Sequence, residues 1–179
     1  MAGQRNVYLI GPMGSGKTAV GRRLATLLGK QFVDSDAEIE KRTGVDIRYI
    51  FEKEGESKFR EREREVIADL TSLDGVVMAT GGGVILDRAN RERLAATGTV
   101  VYLETSIDTL VRRTRAAKTR PLLMNDDPRA VLERLMTARR PLYESAADLR
   151  VPTTGRQVRA VAADIQQRLV ERVANDGPA

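Results

Sequence analysis

Short apolar runs alternate along the chain with longer stretches in which apolar residues recur every three or four positions. Val7-Tyr8-Leu9-Ile10 reads as a strand buried on both faces, and Lys17 to Leu28 as a helix carrying Val20, Leu24, Leu27 and Leu28 on one side. Gln31-Phe32-Val33 predicts a second short strand. Asp36–Arg42 and Ile47–Lys53 predict two short helices around a turn at Gly44, and Glu56–Leu73 a longer one. Val76-Val77-Met78-Ala79 is a third strand, stopped by Gly81-Gly82-Gly83, and Val100-Val101-Tyr102-Leu103 a fourth. Ser106–Arg115 reads as a helix with Ser106 as N-cap, and Pro128–Arg140 as a helix with proline in its first turn. Leu149-Arg150-Val151 is a short last strand, Val158–Val173 a closing helix, and residues 174–179 a tail expected to fray. Strands separated by helices imply a parallel sheet with helices on both faces, in one α/β domain over residues 1–179.

Composition narrows the chemistry. With 41% apolar and 31% charged residues, the 179-residue chain can build a core. Cys is absent, which excludes disulfides, Cys-ligated zinc and a thiol nucleophile. His is absent too, which excludes Ser-His triads and imidazole metal sites and leaves proton transfer to carboxylates, Lys or Tyr. The 30 cations, 24 Arg and 6 Lys, face 25 acids for a net charge of +5. Nucleic acid, a membrane surface, small anions and an Arg-rich codon bias all remain open as reasons. The lack of Trp and the 4% aromatic content leave little for base stacking. No apolar run approaches the roughly 20 residues that span a bilayer. Met1–Asn6 lacks a signal-peptide layout, so a cytoplasmic protein is expected, with neither nucleic acid nor membrane as partner.

Gly11-Pro12-Met13-Gly14-Ser15-Gly16-Lys17-Thr18 fits G-x-x-x-x-G-K-[ST] between a strand and a helix, the context that gives this pattern its meaning. Glycines let backbone N–H groups turn inward around phosphate oxygens, and the helix start adds its positive dipole end. Gly14, Ser15, Gly16, Lys17, Thr18 and Ala19 are thus expected to hold ATP or GTP, with the Thr18 hydroxyl on Mg²⁺. The plainer alternative is a Gly-rich turn with an incidental Lys. No Asn/Thr-Lys-x-Asp segment for reading guanine is found, and five strands with their helices leave no chain for a nucleic-acid module.

Asp34-Ser35-Asp36 follows the second strand, at the carboxyl end where open α/β sheets bind ligands. In an extended segment residues i and i+2 face the same way, so one carboxylate can serve Mg²⁺ and the other an acceptor hydroxyl. Asp36 also suits a helix N-cap. Arg60 and Glu63 lie one turn apart within Lys58–Glu65, so Glu63 can hold the Arg60 guanidinium for an anion; the alternative is a salt-bridged solvent face. Gly81-Gly82-Gly83 lets a ligand approach the backbone, or forms a tight turn. From Val111 to Asn125 there are five cations and no acid, a pattern suited to a basic flap over triphosphate or to a generic basic loop. Arg139-Arg140-Pro141-Leu142-Tyr143 ends the next helix, where the dipole favours cations in any case.

Taken in order, the phosphate loop, Asp-x-Asp at 34–36, Phe-Arg-x-x-Glu at 59–63, Gly-Gly-Gly at 81–83, Arg-Pro-Leu-Leu at 120–123 and Arg-x-Pro-Leu-Tyr at 139–143 resemble the shikimate kinase family from about Asn6 to Arg172. The resemblance implies a three-layer P-loop NTPase fold of the nucleoside-monophosphate-kinase type. It has a central five-stranded parallel sheet, a mobile lid at about 112–125 and an acceptor-binding region at about 34–64. It implies transfer of phosphate from ATP to the shikimate 3-hydroxyl, with Mg²⁺, by a protein that is usually monomeric. Asp36 would contact the reacting hydroxyl, Asp34 would order Mg²⁺ beside Thr18, and Lys17 and Arg120 would stabilise phosphate charge. Arg60 and Arg139 would hold the carboxylate, Gly81, Gly82 and Gly83 would line the ring, and Arg113 and Arg156 would lie against adenine. The nearest alternative is another small-molecule kinase of this fold, such as a gluconate kinase. A nucleotide-binding module without catalysis is disfavoured by the joint presence of Lys17, Thr18, Asp34, Asp36 and Arg120.

Overall fold

In the first strand, β1 (Asn6–Ile10), side chains alternate between two cores: Val7 and Leu9 enter one, Tyr8 and Ile10 the other. The same alternation places Val77 opposite Val76 and Met78 in β3 (Val76–Ala79), and Val101 and Leu103 opposite Val100 and Tyr102 in β4 (Gly98–Glu104). A sheet wetted by apolar residues on both faces has to be covered on both. The computed structural model, which describes residues 5–115 and 127–177, shows how. Helices α1 (Lys17–Leu28) and α7 (Val158–Asn175) cover one face. The other carries α2 (Ser35–Thr43), α3 (Ile47–Thr71), α4 (Arg88–Thr97), α5 (Ile107–Arg115) and α6 (Pro128–Ala146).

With β2 (Gln31–Asp34) and β5 (Leu149–Pro152), the sheet has five parallel strands in the order β2-β3-β1-β4-β5. The chain leaves β1 for one edge, returns through β3, then continues on the other side from β4. That change of direction opens a crevice at the carboxyl end of β1, where the phosphate loop begins.

The predicted pair of helices around residue 55 is present, joined end to end: α3 breaks at Gly55, whose φ of 85° no other residue type adopts easily. Helix α6 continues past the predicted Arg140 through Pro141 to Ala146. Helix α4 was not predicted, and α7 reaches Asn175, two residues into the expected tail. Of the expected lid, Arg112, Arg113 and Arg115 form the last turn of α5, while residues 116–126, with Arg120, lie outside the described residues. No helix among the described residues is long and apolar enough to cross a membrane.

Candidate active site

The phosphate loop takes the form its glycines permit. Gly11, Gly14 and Gly16 have φ of 147°, 84° and 90°, the region that L side chains avoid. Ser15 and Lys17 are buried, and Lys17 Nζ donates to the carbonyls of Gly11 and Pro12 at 2.7 and 2.8 Å. The ammonium is thus held at the mouth of the loop by acceptors weaker than phosphate oxygens. Arg113, from α5, donates from Nη1 to the Gly14 carbonyl at 2.8 Å, so the helix leading to the expected lid grips the loop directly.

Beside the loop, Asp34 closes β2 and caps α2, accepting from the Ala37 N–H at 3.1 Å. Its other oxygen accepts from the Thr18 hydroxyl at 3.0 Å. The cap is therefore Asp34, not Asp36, and the two carboxylates converge because the chain turns into a helix between them rather than through an extended i, i+2 pair. No cluster of three or more His, Cys, Asp or Glu that could hold a metal occurs among the described residues. Thr18 and Asp34 supply two hard oxygens at the phosphate loop, a donor set that suits Mg²⁺, which completes its shell with phosphate and water.

Asp36, in the first turn of α2, faces the same cleft and is only partly exposed. Burial, then the nearby Glu63 and Asp34 charges, push its carboxyl up to about 7, against the opposing pull of Lys17. Gly81 makes room for it: a Cβ there would lie 2.5 Å from Asp36 Oδ1. Ser35, fully buried, fixes this approach by accepting from the Gly81 N–H at 2.9 Å.

Arg60 and Glu63 pair as their spacing predicts, Nη1 to Oε1 at 2.8 Å. Glu63 is 1% exposed, so this is an interior pair and not a solvent-face one. Burial raises the Glu63 pKa, while Arg60 and Arg139 oppose the rise. The Arg60 guanidinium fills the space a side chain on Gly83 would need, and Arg139, 6% exposed, stands 3.5 Å from where one would begin on Gly82. Two guanidinium groups thus flank the triple glycine. Phe51 and Phe59, with ring centroids 4.7 Å apart, form an apolar wall with Ile47.

Most of these groups border one cleft of about 730 Å³, with Ser35 buried behind it. It collects Gly14 to Ala19, Asp34, Asp36, Arg60, Gly81, Gly82, Gly83, Arg113, Arg139 and Arg156, every predicted site residue apart from Arg120. Arg156 enters it while donating to Pro152 O at 2.9 Å and Asp164 Oδ2 at 3.0 Å. Ser35 and the apolar wall escaped prediction. A serine between two aspartates carries no pattern of its own, whereas Phe59 lay inside a recognised signature.

A family model described as "Shikimate kinase" matches residues 13–170. A shikimate kinase of Pseudoalteromonas atlantica is 55% identical over 94% of this chain and 99% of its own. The structure of the Acinetobacter baumannii shikimate kinase in complex with shikimate is 47% identical, with a TM-score of 0.92 over 94% of each chain. A gluconokinase from Sinorhizobium meliloti, 15% identical with a TM-score of 0.61 over 96% of this chain and 94% of its own, shares the fold alone.

Proposed function

Because the chain belongs to the shikimate kinase family, we propose that it transfers the γ-phosphoryl group of ATP to the 3-hydroxyl of shikimate, giving shikimate 3-phosphate and ADP. The observation that carries this reading is the meeting, in one cleft, of the phosphate loop, a carboxylate at its edge and two guanidinium groups beside bare glycine backbone.

ATP lies with its phosphates in the loop and Lys17 exchanging carbonyl partners for phosphate oxygens. Thr18 and Asp34 would hold Mg²⁺, which would supply neutralisation of phosphate charge. Arg113 and Arg156 border the adenosine side, and the family resemblance assigns Arg120, outside the described residues, to the phosphates. On the other side, Arg60 and Arg139 take the shikimate carboxylate, and Gly81 to Gly83 receive the ring against Phe51 and Phe59. Asp36 accepts the hydrogen bond of the reacting hydroxyl and aims its oxygen at the phosphorus. Phosphoryl transfer rests mainly on alignment and charge stabilisation, so orientation is its chief contribution. The protein is proposed to act as a monomer, as the family resemblance implies.

Charge-assisted hydrogen bonds contribute roughly 1.5–3 kcal/mol each. Arg60→Ala is therefore expected to raise the shikimate KM roughly 10- to 100-fold and leave the ATP KM nearly unchanged. Equal effects on both substrates would make Arg60 a structural residue.

A further inference from the structure

The Tyr143 phenol is fully buried, yet its hydroxyl is directed at the site and not into the core: it donates to the Gly82 carbonyl at 2.6 Å. Its ring stacks on Tyr102 of β4, with centroids 5.1 Å apart and planes 18° off parallel, so the sheet determines where the hydroxyl lies. The phenol is a neutral donor at working pH; burial pushes it further up, to about 12, against Arg139, whose charge and hydrogen bond to this side chain oppose the rise. Tyr143 does not itself border the cleft.

Two features make this bond more than a brace. The described residues contain no cis peptide, and in a planar trans peptide the N–H of Gly83 points opposite to the C=O of Gly82. With the carbonyl turned to Tyr143, the Gly83 N–H is turned away from it, and it donates to no described residue. Arg139 lies one turn earlier on the same helix, with Nη1 3.5 Å from the Cβ position of Gly82. One segment of α6 thus brings a guanidinium and a phenol to the same glycine.

We propose that Tyr143 is a positioning residue: by holding the Gly82 carbonyl it orients the Gly83 N–H as a further donor to the acceptor carboxylate, beside Arg60 and Arg139. This role rests on the acceptor reading of the cleft given above. No atom of Tyr143 touches the substrate.

Tyr143→Phe keeps the ring stack and removes only the hydroxyl, and the comparison is between shikimate and its uncharged methyl ester at saturating ATP. The expected result is a fall in kcat/KM of about 5- to 10-fold for shikimate and less than about 2-fold for the ester, with the ATP KM unchanged. An equal loss for acid and ester, or a change confined to the melting temperature, would overturn the role. Arg60→Ala measured alongside separates the two layers. If it leaves the shikimate KM unchanged, the acceptor reading fails and the Tyr143 role with it. If it raises that KM while Tyr143→Phe keeps the wild-type acid preference, the Tyr143 role alone fails. A second readout needs no variant: in the wild-type protein the Gly83 amide resonance should shift on adding shikimate, and a resonance that stays in place contradicts the proposal.

Discussion

At Asp36 a single carboxyl group carries both a stability cost and the proposed alignment of the acceptor. Its pKa rises from the ordinary 3.8 to about 7, so the folded chain binds a proton between those values that the unfolded chain does not. Stability without ligands therefore falls as pH rises from about 4 through 7, and Glu63, raised in the same direction, adds to the trend. Asp36→Asn cannot ionise. It is predicted to melt above wild type at pH 8 and to converge with it near pH 4, while kcat drops roughly 100-fold. An Asn variant that melts below wild type at pH 8 would make Asp36 a structural anchor. The two aspartates also show where residue-level reading stops. Both suit a cap, and only the turn of the chain after β2 decides that Asp34 takes the Ala37 N–H and leaves Asp36 for the cleft. Tyr143 was visible only as the last letter of a signature, because its partner, a glycine carbonyl 61 residues away, leaves no local trace.

Elements were legible where burial imposes a period. The inner strands β1, β3 and β4, buried on both faces, carry continuous apolar runs, and α1 shows its apolar stripe plainly. Helix α4 is the counterexample: its ten residues, Arg88 to Thr97, bury only Asn90 and Leu94, so no stripe announces it. Its N-cap, Asp87, accepts from the Ala89 N–H at 2.8 Å, and ion pairs such as Arg88–Glu92 line its exposed side. The strand that follows begins at Gly98, paired in register with Asn6. A Cβ at Gly98 would lie 2.7 Å from the Asn6 carbonyl and run into the Tyr8 ring. Neither can yield easily. Tyr8 is buried with its hydroxyl bonded to Thr97 at 2.7 Å, and Asn6 ties the start of β1 to Leu73 and Val76. Gly98→Ala is thus expected to cost about 1–3 kcal/mol, read as a lower denaturation midpoint with both substrate KM values unchanged. A midpoint equal to wild type would show that this junction has room to adjust.

Across the whole molecule, many of the described Arg pair with nearby carboxylates. Arg42 pairs with Glu38 and Asp69, Arg62 with Glu54, Arg150 with Glu104 and Glu144, and Arg168 with Asp164. Solvent screens such exposed pairs, so they describe the surface more than they stabilise it. On the proposed reading, the charge that bears on function is the small group at the cleft: Arg60 and Arg139 on one side, Lys17, Arg113 and Arg156 on the other. The fold by itself does not choose an acceptor, since a gluconokinase shares it at 15% identity. On the proposed reading, the choice is made by the Arg60 and Arg139 guanidinium groups and the bare glycine run between them, next to Asp36. The most direct measurement is ADP release with Mg²⁺-ATP against shikimate, gluconate and nucleoside monophosphates in parallel. The account predicts rapid turnover with shikimate and little with the others; no turnover with shikimate, or a comparable rate with gluconate, would contradict it.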